Sequence, residues 1–166
     1  MKLFPTNNYQ FELKKDSSDA LLELEKNTLI TESLVSEWTK KVFIGQVNKN
    51  SFKIISSKPG RGAFCVLVGQ LDSKRGTLEI RIHKTFQIML SLIYLFPIIG
   101  FTIALFTEKK EVIISLIIPT IMAIITFRFI MTELAFRIIS KNGLKKLTKI
   151  IGITQLKENK TPTKIK

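Results

Sequence analysis

Cysteine and histidine are almost missing from this 166-residue chain, in which Cys65 and His83 each stand alone. A single cysteine excludes an intrachain disulfide, the usual staple of a small secreted domain, and suits a reducing compartment. One of each leaves too few donors for a His/Cys metal site, and no paired carboxylates recur at ligand spacing, so neither a metal nor another cofactor is expected. No nucleophile and base can be paired, so the chain reads as a non-enzyme without catalytic residues. Acid is scarce too: 13 Asp and Glu face 26 Lys and Arg, a formal net charge of +13. Together with a hydrophobic content of 45%, this balance points to membrane proteins or nucleic-acid binders rather than ordinary soluble domains. A secretory signal is not expected either, because Pro5, Asn7, Asn8, Gln10 and Glu12 interrupt the N-terminus where an apolar run would be needed.

What the chain does have is two long apolar runs. Thr85 to Thr107 is free of formal charge, and as a helix it would be about 34 Å long, enough to cross a bilayer. Val112 to Phe127 is shorter, but Phe129, Ile130 and Met131 extend it past Arg128, which must snorkel or face a partner. The expected spans are therefore 85–107 and 112–132. Between them Glu108-Lys109-Lys110-Glu111 is electrically neutral, whereas the outer flanks carry Arg81, His83 and Lys84 on one side and Arg137, Lys141, Lys145, Lys146 and Lys149 on the other. Under the positive-inside rule both termini are then cytoplasmic. Pro97 and Pro119 each remove a helix hydrogen bond, so kinks are expected in both spans.

Polar residues within the spans fall on narrow stripes. Gln87, Ser91, Tyr94 and Thr102 project within about 80° of one another on a helix, and Ser115, Pro119, Thr126, Glu133 and Arg137 share a face from which Arg128 diverges. Gln87, Ser91, Tyr94, Thr102, Ser115 and Thr126 are thus candidates to line an aqueous path in an oligomer. The same side chains equally suit helix-to-helix packing.

Ahead of the spans, residues 1–84 read as a basic, β-rich domain. Tyr9, Phe11 and Leu13 alternate with polar neighbours as in a half-buried strand. Asp16-Ser17-Ser18-Asp19 precedes a short helix from Ala20 to Lys26, and the Ile30, Leu34, Trp38 spacing favours a helical turn or two in the next stretch. A four-stranded meander follows: 42–47, 51–56, 63–69 and 77–83, with turns at Asn48-Lys49-Asn50 and near Asp72–Gly76. The fold expected is therefore α+β: a small cytosolic antiparallel β domain (1–84), a transmembrane hairpin (85–137) and a basic C-terminal region (138–166). In the last region Asn142-Gly143 is a helix stop, a surface helix carries Lys145, Lys146 and Lys149 toward anionic lipid, and the final ten residues are disordered.

Charge concentrates on the meander. Residues 40–84 hold ten Lys and Arg against two Asp and Glu, while residues 1–39 hold four against seven. Lys58-Pro59-Gly60-Arg61-Gly62 combines exposed backbone N–H groups with cations, the chemistry of an anion-holding loop or of a plain strand connection. With Lys49, Lys53, Lys74, Arg75 and Arg81 it forms the candidate ligand set. Phe43, Phe52 and Phe64 would add stacking platforms for a nucleotide or single-stranded nucleic acid if their rings were exposed. His83, just ahead of the first span, is an interfacial polar residue or a pH-sensitive one.

The run Phe43-x-Gly45-x-Val47, Phe52-x-Ile54, Gly69-x-Leu71 and Gly76-Thr77-x-x-Ile80-x-Ile82, followed by two spans, resembles small two-span bacterial membrane proteins over about residues 42–132. More loosely, in architecture alone, the chain is similar to membrane effectors of bacterial anti-phage nucleotide-signalling systems, although there the spans precede the β domain. That resemblance implies a homo-oligomer in the bacterial inner membrane, channel-forming and regulated by a nucleotide or oligonucleotide. The alternative from the residues themselves is a membrane-anchored adaptor that recruits a protein partner or anionic lipid.

Overall fold

The alternation that begins at Tyr9 extends over an eight-residue strand, β1 (Thr6–Leu13), and the acidic stretch after it starts helix α1 (Ser17–Lys26). Asp16 stands at the N-cap in extended conformation, and Asp19 in the first turn and Lys26 in the last complement the helix dipole. The helix ends cleanly because Asn27 Nδ2 donates to the Glu23 carbonyl at 2.9 Å and Thr28 Oγ1 to the Leu24 carbonyl at 2.7 Å. The chain continues through β2 (Thr28–Ile30), β3 (Phe43–Val47), β4 (Ser51–Ser56), a short 3-10 turn (Gly62–Phe64), β5 (Cys65–Asp72) and β6 (Arg75–Ile82). Two long helices, α2 (Lys84–Thr107) and α3 (Lys110–Thr126), come next, and a π-helical segment (Phe127–Leu134) leads into α4 (Ala135–Ile151) and β7 (Ile153–Asn159). The computed structural model describes residues 4–58, 62–107 and 109–159.

The protein is α+β, with one seven-stranded sheet in the order β2-β3-β4-β5-β6-β1-β7. The sheet is mixed rather than purely antiparallel, because β2 runs parallel to β3. Parallel neighbours need a long crossover, and residues 31–42 provide it. The helical turn expected there does not form. Of its three spaced apolar residues only Leu34 packs inward, against Ile44, Ile55 and Val66, while Ile30 and Trp38 are exposed. Tertiary ties hold the segment open: Thr31 N–H donates to the Gly45 carbonyl at 3.0 Å, and Ser36 Oγ accepts from Ala63 N–H at 2.9 Å.

The chain divides into two compact units, residues 1–83 with 136–166, and residues 84–135. The expected C-terminal region is thus corrected. Helix α4 runs through Gly143 to Gly152, where φ of 71° and a Gly152 N–H to Thr148 carbonyl bond of 3.1 Å end it in the left-handed manner glycine favours. Phe136, Leu147 and Ile151 on α4 are buried, so its apolar side covers the sheet rather than lipid. Residues 157–159, expected to be disordered, lie in β7, which pairs with β1 from Asn8 to Leu13. Of the expected tail, 160–166 lies outside the described residues.

Because paired residues share a face, the register sorts the sheet into an apolar and a polar side. Phe11, Phe52, Ile54, Leu67, Leu78 and Ile80 form the apolar face, all buried. Helix α4 lies over it: a Cβ on Gly143 would stand 3.4 Å from Leu67, and Lys146 Nζ donates to Ser56 Oγ at 3.3 Å. Burying each such large side chain contributes about 1.5–3 kcal/mol. Two glycines make room for rings on this face. A Cβ on Gly69 would fall 2.3 Å from the Phe52 ring, and one on Gly76 would fall 2.4 Å from that of Phe11.

Within residues 84–135, α2 and the stretch that α3 begins are long and apolar enough to cross a membrane, each with a mean hydropathy of 2.3 over its best window. Their apolar side chains are largely exposed, unlike those of core helices in a soluble fold. Both expected prolines lie inside these helices, Pro97 in α2 and Pro119 in α3. The π segment is the feature that helical periodicity did not anticipate. In it Thr132 Oγ1 donates to the Phe127 carbonyl five residues back at 3.3 Å, and Arg128 Nη1 meets Glu133 Oε2, five residues on, at 3.4 Å. Wide turns bring i and i+5 together, whereas on an α-helix they diverge, so Arg128 and Glu133 share a face after all.

Candidate functional site

The polar side of the sheet carries Asn8, Gln10 and Glu12 on β1, Gln46 on β3, Lys53 on β4, Gln70 on β5, and Thr77, Glu79 and Arg81 on β6. The strands β3 to β5 bring Ile44, Ile55 and Val66 to this side as well, but Leu29, Leu34 and Ala63 pack against them. What remains open is a field of amides and hydroxyls with scattered charges. At the end of the sheet formed by the β5–β6 turn it dips into a concavity of about 780 Å³, whose lining includes Gln10, Glu12, Gln70, Arg75, Thr77 and Lys157.

That turn is fixed from several sides. Ser73 holds φ of 51°, its carbonyl accepts from Ser17 N–H at 2.9 Å, and the Lys74 carbonyl accepts from Leu13 N–H at 2.8 Å. The neighbouring β3–β4 turn is joined to it through Leu71 N–H, which donates to the Asn50 carbonyl at 2.8 Å. Arg75 is highly exposed and its Nε donates to Glu12 Oε1 at 3.2 Å. An exposed pair of this kind adds little stability, and its guanidinium keeps donors for another acceptor.

The structure divides the candidate ligand set instead of collecting it. Lys49, Lys74 and Arg75 gather at the two joined turns, at the concavity's end of the sheet. Lys53 and Arg81 stand on the polar face, Arg81 paired with Glu79 at 3.7 Å. Lys58 is exposed beyond β4, at the opposite end, and Arg61 lies outside the described residues with Pro59 and Gly60. Sequence reasoning missed Glu12, which joins Arg75 because β1 pairs with β6, and Lys157, which joins it because β7 pairs with β1. The aromatic platforms are not available at two positions: Phe43 and Phe52 are buried in the core, where strand residues of this type commonly belong.

Electrostatics mark two further spots. Burial lowers the His83 pKa below its usual value, and the positive charges of Lys53 and Arg81 lower it further. Lys146 is lowered in the same way, by burial first and then by Lys58. The Cys65 thiol is pushed up to about 12 by burial, which makes it a poor nucleophile at neutral pH. Among the described residues no group of three or more His, Cys, Asp or Glu is placed to hold a metal ion.

In the helical hairpin the candidate path-lining hydroxyls are engaged locally. Ser91 Oγ donates to the Gln87 carbonyl at 2.8 Å, Thr102 Oγ1 to Ile98 at 2.8 Å, and Ser115 Oγ to Val112 at 2.7 Å. Tyr94 instead reaches across the hairpin and hydrogen-bonds Thr132 Oγ1, which is almost fully buried. Gln87 is half-buried and Thr126 is exposed. No protein-family model matches the chain, and neither a curated protein nor a solved structure matches it.

Proposed function

We propose that the chain is a two-span membrane protein whose sheet domain is a non-enzymatic binding module on the cytosolic side, with a hairpin that anchors it and associates with other copies. One observation carries this reading: the sheet is completed only after the apolar helices, by α4 and β7. A soluble unit built from both flanks of a hairpin requires the hairpin to enter and leave the bilayer on one side, which supports two crossings and both termini in one compartment. The positive flanks favour the cytoplasm, and the bacterial inner membrane follows from the architectural resemblance. The ligand has anionic groups that Arg75 and Lys157 hold in the concavity, as in a nucleotide, a short single strand of nucleic acid or an acidic segment of a protein partner.

A channel-forming effector is the second reading. The Arg128–Glu133 pair within the apolar stretch favours it, since ionisable residues inside spans commonly mark a conduction or relay path. Against it, Ser91, Thr102 and Ser115 donate to their own helices and Tyr94 bonds across the hairpin, as side chains of a packed anchor do. Ion flux from reconstituted protein separates the two readings, and the intact protein, purified in detergent and titrated with ATP and with a short oligonucleotide, tests the binding that both share. Replacing Arg75 and Lys157 together by Gln is expected to weaken binding and flatten its salt dependence, because fewer counterions are released. Unchanged affinity and salt slope would remove the concavity from the proposal, and ion flux from reconstituted protein would promote the channel.

A further inference from the structure

One end of the sheet unites three segments that are far apart in sequence. Phe43 pairs with Ser56 and Cys65 with Ile82, so the start of β3, the end of β4, the start of β5 and the end of β6 lie together. Hydrogen bonds knit the loops beyond them: Ser57 N–H donates to the Val42 carbonyl at 3.1 Å, Ser57 Oγ to the Lys41 carbonyl at 2.6 Å, and His83 N–H to the Phe64 carbonyl at 2.9 Å. Ser36 Oγ, accepting from Ala63, fastens the middle of the 31–42 loop to the same end. It is from this end that the chain passes through His83 into the apolar helix α2.

The loop held there presents an unusual surface. Trp38, the chain's only tryptophan, is 91% exposed, and Val35 beside it is 56% exposed. Lys40 and Lys58 are exposed at the same end, and Lys41 donates its ammonium group to the Lys26 carbonyl. Glu37 is the neighbouring acidic residue, and Glu32 lies farther back along the loop. A large indole left in water is unfavourable, whereas at a lipid–water interface its apolar body and N–H are both satisfied, and lysines beside it meet anionic headgroups.

We propose that the 31–42 loop is a second membrane contact, in which Trp38 and Val35 enter the interface of the bilayer that the hairpin crosses while Lys40 and Lys58 hold anionic phospholipid headgroups. The inference rests on the proposed membrane insertion and adds to it a lipid-sensing surface on the sheet domain. Such a contact fixes the tilt of the domain on the membrane and makes it depend on lipid charge.

Because Trp38 is the only tryptophan, its fluorescence reports the loop alone. The full-length protein is reconstituted into vesicles of phosphatidylcholine with and without phosphatidylglycerol, and insertion is verified in the same samples by resistance to alkaline extraction. With phosphatidylglycerol the emission is expected to shift to shorter wavelength, resist acrylamide and become quenchable by lipids brominated high on the acyl chain. Replacing Lys40 and Lys58 together by Gln, or raising salt, should return most of the signal to that in phosphatidylcholine. Inserted protein whose Trp38 stays as accessible to acrylamide as in detergent, in both lipids, overturns this inference and leaves the two-span reading standing. Protein that is extracted by alkali overturns both. Protection that follows protein concentration instead of lipid charge assigns the loop to a protein contact and also overturns the proposal.

Discussion

Truncating Leu147 to Ala tests the assignment of the C-terminal helix to the sheet domain. Leu147 is fully buried on α4 over the apolar face. Leu-to-Ala changes at such sites remove about 2–5 kcal/mol, the range reflecting how far the cavity collapses. Cys65 offers a reporter that needs no label, because it is the only thiol, 2% exposed, and held unreactive by burial. It meets an aqueous disulfide reagent when the sheet opens, so its modification rate follows the open population. Each 1.36 kcal/mol is a factor of ten, so the expected acceleration in native buffer is roughly 30-fold to several thousandfold. Lys145→Ala, on the exposed side of the same helix, is the control and should leave the rate within about twofold. If Leu147→Ala labels Cys65 no faster than the control, α4 does not cover the sheet, and the argument from a domain split around the hairpin fails with it.

Three further outcomes are expected. The depressed pKa of His83 means that the unfolded chain binds the proton more tightly, so this group's stability contribution is complete above the unfolded value of 6.5 and is lost as pH falls through that value toward the folded one; chemical denaturation from pH 7.5 to 5.5 should show a smaller loss in His83→Gln, and equal losses would refute the assignment. Substituting Ser91 and Thr102 by Leu removes hydroxyls that serve their own helix, so assembly size and membrane insertion should be unchanged; a fall in ion flux from folded, reconstituted protein would instead restore the path-lining role. Lys109→Cys, in the turn between the two helices, should react with an impermeant maleimide added outside intact spheroplasts while buried Cys65 stays silent, and labelling only after lysis would reverse the topology.

Strands and spans were legible because their signals are local. Period-two alternation located β1, strand runs bounded by turn residues located β3 to β6 to within a few residues, and uncharged length located α2 and the start of α3. The misread elements are those whose state is decided at long range. The Ile30, Leu34, Trp38 spacing has helical period, but β2 pairing and the Ser36–Ala63 bond draw the segment into a crossover. Glycine at 143 looked like a stop, yet the helix runs on through it over Leu67, and only the left-handed φ at Gly152 ends it. Residues 153–159 carry five polar positions in seven and no strong alternation, so their role as an edge strand depends on β1 being there to receive them. The candidate site was half legible for the same reason. Arg75 stood out by charge, whereas Glu12 and Lys157 become its neighbours through pairings that join the two ends of the chain.

The split domain also explains how a small sheet tolerates a hairpin inserted before its last two elements. Strands β3 to β6 form a meander of short-range contacts that can close as soon as residue 83 has emerged, and β1 adds to β6 at once. Until α4 arrives, however, the part of the apolar face around Leu67 lacks the helix that covers it. In the proposed two-span arrangement the hairpin returns the chain to the side it left, which would bring the segment from Phe136 onward back to the sheet and shorten the loop to be closed relative to the 52 residues between His83 and Phe136. On that proposal membrane insertion and completion of the sheet are coupled. On the same proposal a chain that failed to insert would carry its apolar helices into water, so the folded domain belongs to the membrane-bound state.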